Sequence, residues 1–119
     1  MEEKRKFTRS EFEAAATLGN SDALWEVKLI DISLNGVLIH RPENWRGEID
    51  EEYDFDLPMG GDADPVIMTC RVARVDDTRV GLERLHIGLE SITSLRRLME
   101  LNTGDPEGIN REFSQLWLD

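Results

Sequence analysis

One cysteine, Cys70, stands in 119 residues, so no disulfide can form within the chain and a reducing compartment is consistent with it. Its surroundings, "VIMTCRVARV", read as the apolar side of a strand, and the thiol is expected to be a buried core group. Long apolar runs are missing as well: the longest reach only a few residues, against the roughly 20 that a membrane-spanning helix needs. The start of the chain, "MEEKRKFTRSEFEAA", carries charge where a secretory signal would carry its apolar stretch. These absences lead us to expect a cytoplasmic protein. Histidine is scarce too, and His40, His86 and Cys70 have no metal-ligand spacing. The acidic run from Glu48 to Asp56 lacks the glycine-centred pattern of a calcium loop and reads as a solvated face. There is no glycine-rich phosphate loop, no internal repeat and no low-complexity segment, and no metal or cofactor is expected.

What is present suits one soluble globular domain: 39% hydrophobic and 33% charged residues in 119. The net charge of −11 opposes broad binding to DNA, RNA or anionic membrane, all of which attract basic surfaces. A small anionic ligand is still allowed, because charge is unevenly spread. Lys4, Arg5, Lys6 and Arg9 cluster in "KRKFTR", while "EIDEEYDFD" gathers acid near the middle of the chain.

Hydropathy alternates with the period of two expected of half-buried strands. Trp25, Val27 and Leu29 alternate with Glu26 and Lys28, and "VLIH" returns after Asn35-Gly36, whose tolerance of positive φ fits a tight turn. Residues 25–40 therefore read as a hairpin. Tyr53, Phe55 and Leu57 mark another strand, and "VIMTCRVARV" with "TRVGLERLHI" reads as a second hairpin. "SEFEAAATLGN" alternates at Phe12, Ala14, Ala16 and Leu18, so it is assigned as strand although its Glu and Ala favour helix. Five or six short antiparallel strands suggest a small barrel or a sandwich. The period then lengthens. Ile92, Leu95, Leu98 and Met99 recur at helical spacing, with Ser91 as the expected N-cap and Gly104 as the stop. A last helix is expected from Asp105 as cap, Pro106 at the first position, and the stripe Ile109, Phe113, Leu116 and Trp117.

A hydrolytic set would have to come from Asp31, Ser33 and His40. His40, however, lies well down the partner strand, and no nucleophile elbow is present. The chain is read as a non-enzyme. Two other features point to binding: Arg5 and Arg9 form R-x-x-x-R, and Asp31, Ser33 and Gly36 form D-x-S-x-x-G. Arginine offers a planar fork to phosphate oxygens or to guanine O6 and N7. Asp and Ser offer the complement to guanine N–H groups, and a glycine removes the Cβ that would obstruct a planar ligand. Together these groups suit an anionic guanine nucleotide.

The pairing of "KRKFTR" with "DISLNG" resembles the PilZ domain, a bacterial receptor for the second messenger cyclic di-GMP. "RVARVDDTRVGLE" resembles that family's closing hairpin, and "SLRRLMELNTGD" the C-terminal helix of its stand-alone members. The resemblance implies a six-stranded antiparallel β-barrel with C-terminal α-helices. It divides the chain into a flexible basic segment over 1–10, a barrel with a packed helix over 11–104, and a C-terminal helix over 105–119. It further implies that Arg5 and Arg9 clamp phosphates and guanine edges, while Asp31, Ser33 and Gly36, exposed at a strand end, receive a guanine and its ribose. Arg74 adds a cation near a second guanine. Many members carry Arg directly before R-x-x-x-R; here that residue is Lys4, which can meet phosphate but lacks the fork. The expected protein is a monomer that signals to a protein effector by changing its N- and C-terminal surface. The alternative is a PilZ-fold interaction protein that binds no nucleotide.

Overall fold

Strands with one apolar face must bury that face and also protect their edges, and closing the sheet on itself does both. The computed structural model, which describes residues 10–115, has this closure. β1 (Ser10–Gly19), β2 (Leu24–Ser33), β3 (Gly36–His40), β4 (Glu52–Leu57), β5 (Val66–Val75) and β6 (Arg79–Ile87) form a closed antiparallel barrel in the spatial order β1-β2-β3-β6-β5-β4. Leu18 opposite Phe55 and Thr17 opposite Asp56 join β1 to β4 and seal the seam. The helix-favouring β1 sequence is strand because Ala16 and Leu18 are both buried, paired with Val27 and Trp25 of β2. Cross-strand packing outweighs propensity there.

The inner faces follow the alternation read from the sequence. Val27 and Leu29, then Tyr53, Phe55 and Leu57, then Val66, Met68, Cys70 and Val72 are all buried. α1 (Leu89–Thr103) lays Ile92, Leu95, Leu98 and Met99 on the barrel core. It stops at Gly104, whose left-handed φ of 69° lets its N–H reach the Glu100 carbonyl. α2 (Pro106–Gln115) starts as expected, with Asp105 Oδ1 accepting the Gly108 N–H at 3.1 Å. Its Ile109 and Phe113 are buried; Leu116 and Trp117 lie outside the described residues. One expectation fails at the start of α1. The N-cap is Gly88, with no side-chain cap bond, and Ser91 sits inside the first turn. Ser91 is buried because its hydroxyl serves the barrel, donating to the Pro65 carbonyl (3.1 Å) and accepting the Ile67 N–H (2.9 Å). That bond pair ties the helix to the start of β5.

The end of the barrel where β2 begins is filled by aromatics. Trp45, from the loop joining β3 to β4, is 1% exposed and packs on Tyr53, ring centroids 5.8 Å apart; Trp25 meets Tyr53 edge-on at 5.9 Å. The Trp45 indole N–H turns toward the Tyr53 hydroxyl without closing a hydrogen bond. The hydroxyl itself donates to Glu51 (2.9 Å). Burial, then the bond and charge of Glu51, push the Tyr53 hydroxyl up to about 12, with Trp45 pulling the other way. Burial, reinforced by the charge of Asp54 and eased by that of Arg84, pushes the Cys70 thiol from 9.0 to about 12.

Both groups are raised acids, so the unfolded chain loses these protons at lower pH than the fold does. Their contribution is whole below about pH 9 and fades as pH climbs toward 12. For Cys70 the full effect is on the order of 4 kcal/mol as an upper bound. Thermal melts of the wild type are expected to hold level from neutrality to about pH 9 and then decline. In Cys70→Val the decline should begin about one unit later, at the Tyr53 step, and an identical onset in the two proteins would contradict this assignment.

Candidate functional site

The D-x-S-x-x-G stretch lies at the opposite end of the barrel from the aromatic cluster. Ser33 pairs with Gly36, so the two-residue loop is Leu34-Asn35 and Gly36 is the first residue of β3. The expected turn at Asn35-Gly36 is thus displaced by one residue. Asn35 does not have positive φ; among the described non-glycine residues only Asp50 does (77°). The reason for the shift is Leu34. It is fully buried and is drawn into the barrel mouth, so it occupies the loop position that a polar turn residue would otherwise fill.

Ser33 also departs from expectation. It is 8% exposed, and its hydroxyl accepts the Asn35 N–H at 3.1 Å while reaching the Gly36 carbonyl at 3.5 Å. Serine commonly satisfies a turn backbone in this way. Its donated bond sits at the limit of hydrogen-bond geometry, so the hydroxyl proton can be re-aimed at little cost. Asp31 is half-buried, so neither residue is fully exposed as expected. A bulge between Leu29 and Asp31 sets their phase, turning Ile32 and Leu34 inward and leaving Asp31 and Ser33 on the outer side.

Gly36 has φ 155°, and a Cβ there would lie 2.0 Å from the Leu82 carbonyl oxygen. The expectation was that this glycine clears space for a ligand. In the structure it clears space for β6.

Register connects the remaining residues. Glu11 pairs with Asp31, Asp31 with Leu38, Leu38 with Gly81, and Gly81 with Arg74. Asp31 and the exposed Arg74 therefore share one row, about 14 Å apart along the sheet at the usual strand spacing. Gly81 makes the middle of that row flat, since a Cβ there would meet Arg74 Cβ at 3.6 Å and Leu38 Cδ1 at 4.0 Å. Near Arg74, Asp76 accepts the Thr78 and Arg79 N–H groups (3.0 and 2.7 Å). These bonds hold its carboxyl below the usual range, with help from the charges of Arg79 and Arg74. The next row carries Ser33, Gly36, Glu83 and Arg71, and Arg71 is ion-paired with Glu83. His40 pairs with Arg79 at the far end of β3, roughly 13 Å from Gly36, so the structure does not assemble a hydrolytic set with Ser33. Lys4, Arg5 and Arg9 lie outside the described residues.

Arg84 was not anticipated. Its Nε–H donates to the Leu34 carbonyl at 2.6 Å, and its own backbone N–H donates to the Asn35 carbonyl at 2.8 Å. Parity could have flagged it. Val80 and Leu82 point inward, so position 84 of an unbroken strand would bury a charge in the core.

The family model of the PilZ domain matches residues 3–101, most of the chain. The chain belongs to the PilZ family. PilZ domains are receptor and adaptor domains of cyclic di-GMP signalling. Among solved structures, this PilZ domain is similar to the Bacillus subtilis inhibitor of motility MotI/DgrA, with TM-score 0.67 and 14% identity over 82% of this chain and 53% of the other. It thus spans about half the length of that protein. It is also similar to the PilZ domain of CeSA from a cellulose-synthesizing bacterium, with TM-score 0.59 and 15% identity over 82% of this chain and 96% of the other. At these identities the likeness establishes the barrel.

Because Gly36 combines a glycine-only φ with backbone contact, Gly36→Ala is expected to cost about 2 kcal/mol or more in urea unfolding. Gly61→Ala, also at positive φ (57°) but with nothing within 4 Å, should cost about 1 kcal/mol. Equal losses would mean that the Leu82 contact relaxes freely.

Proposed function

We propose that this PilZ domain is a cyclic di-GMP receptor whose ligand lies across the outer face of β2, β3 and β6. The observation that carries this reading is the register at the start of β1, where Ser10 pairs with Ile32 and Glu11 with Asp31. R-x-x-x-R precedes Ser10 directly in sequence. Arg9 is bonded to Ser10, and Arg5 is five residues from it, a reach of at most about 18 Å. Both arginines are thus tethered to the strand end that carries Asp31 and Ser33.

Cyclic di-GMP has two phosphodiester anions and two guanines. Arg5 and Arg9 supply forks for phosphate and for guanine O6 and N7, Lys4 a point charge for phosphate. Asp31 accepts guanine N–H groups, Ser33 turns its hydroxyl proton outward, and Arg74 receives the far edge across the flat Gly81 row. Gly36 acts by letting the hairpin close against β6. Binding draws the basic segment onto the barrel and uncovers acidic surface that it would otherwise screen. The change reaches the C-terminal surface through β6, which holds the β2–β3 turn at Arg84 and leads into α1 at Leu89. A protein effector reads the new surface. No catalytic step is assigned.

Ser33 favours one other reading. Its hydroxyl already serves the turn, so half of the D-x-S pair has a structural reason to be there without any nucleotide. On that reading the domain is a PilZ-fold adaptor for a protein partner.

Calorimetric titration of cyclic di-GMP into wild type and Arg9→Ala, at one salt concentration, separates the two. Saturable wild-type binding, weakened about ten- to a hundredfold or more by loss of a bidentate arginine contact, is the expected result. The molar ratio then reports whether Lys4 admits a second ligand. Absence of heat together with an unchanged melting temperature would assign the domain to the adaptor class.

A further inference from the structure

β6 carries an irregularity whose effect is local and specific. Cys70 pairs with Arg84 and Thr69 with His86, so Leu85 is an extra residue on β6. Inward parity runs through Val80 and Leu82 and resumes at Ile87. The phase change comes only after Arg84, which keeps inward parity opposite the buried Cys70. The pairing of β3 with β6 ends at Gly36 opposite Glu83, so Arg84 lies just past the end of β3 and its side chain sits at the barrel mouth. The guanidinium meets the Leu34 carbonyl at 2.6 Å, and the backbone N–H of the same residue takes the Asn35 carbonyl at 2.8 Å. Both loop carbonyls of the β2–β3 turn are therefore held by one residue of another strand. The side chain is half-buried, and a charged donor in such a place makes a stronger bond than a neutral one.

We infer that Arg84 is a positioning residue for the nucleotide site: its Nε–H bond to Leu34 presets the β2–β3 turn, and with it Ser33 and Asp31, before ligand arrives. This rests on the receptor reading above. A turn already held loses little freedom when ligand binds, whereas a loose turn must be ordered at the expense of affinity. Arg84 acts through the backbone of Leu34 and need not touch the nucleotide.

Side-chain geometry supplies a decisive pair of variants. Glutamine places its Nε2–H₂ the same number of bonds from the backbone as the arginine Nε–H, without charge. Methionine has similar length and no donor. In cyclic di-GMP titrations, Arg84→Met is expected to weaken binding roughly tenfold and Arg84→Gln to retain most of the affinity. Hydrogen exchange of the unliganded proteins should show faster exchange at Asn35 in Arg84→Met, with the rest of the barrel unchanged. The dependence of affinity on salt should match wild type in both variants and be shallower only in Arg9→Ala, which loses a phosphate contact.

Equal affinity of wild type and Arg84→Met would overturn the inference while leaving the receptor reading intact. Failure of Arg84→Gln to restore affinity, with a flattened salt dependence, would assign Arg84 to direct phosphate contact and overturn positioning. Should Arg84→Met melt below the assay temperature, Arg84→Gln is compared with Arg84→Lys, whose nitrogen is one bond farther out. Positioning predicts that glutamine binds at least as well, and a role for charge predicts the reverse order. A wild type that binds no cyclic di-GMP removes the receptor reading and this inference together.

Discussion

The approach of β3 to β6 at Gly36 is the constraint on which the rest of the barrel depends. The Leu82 carbonyl occupies the place where any side chain at position 36 would begin. With no Cβ there, β3 can lie in register along β6 from Gly36 opposite Glu83 to His40 opposite Arg79. That pairing joins the β1–β2–β3 meander to the β4–β5–β6 meander, and β1 against β4 closes the other side. Glycine at this position therefore has a backbone reason that precedes any ligand. The same residue that looks like a binding signature is first a closure device, and the rim stands where it does because the strands can touch there.

How much could be read in advance depended on which kind of information each residue carried. Strand and helix periods were legible because burial imposes them residue by residue, as in Val66, Met68, Cys70 and Val72, or Ile92, Leu95, Leu98 and Met99. Asp105 and Pro106 were legible because capping is local. Ser91 was misread for the opposite reason. Its hydroxyl answers backbone groups at Pro65 and Ile67, about 25 residues away in sequence, which local pattern cannot register. The loop at Leu34-Asn35 was displaced by the burial of Leu34, a tertiary demand that overrode the turn signal of Asn35-Gly36.

The candidate site divides along the same line. Asp31, Ser33 and Gly36 could be picked out as a short motif, and the structure gathers them at one rim while giving Ser33 a share of the turn's own hydrogen bonding. The alignment of Asp31 with Arg74 across Leu38 and Gly81 needed the register of four strands. Arg84 needed the register that ends β3 at Gly36 opposite Glu83, although its inward parity in "VGLERLHI" was a visible anomaly. Charged residues at core parity merit the question of where the neighbouring strand ends.

The aromatic cluster bears on how this protein would report on itself optically. Trp25 is the second residue of β2, about 26 Å by strand rise from Ser33 near the other end, and Trp45 fills the floor on the same side as Trp25. Both indoles adjoin Tyr53, whose ring couples them to each other and to little else on the rim. Emission from these two residues would follow the integrity of the barrel floor, bright or quenched as Trp45 stays packed or is released. Events at the mouth would leave it silent. The fold thus separates the two tryptophans of the described residues from the proposed reading edge, and a label for that edge would be placed there, at the exposed Asn35.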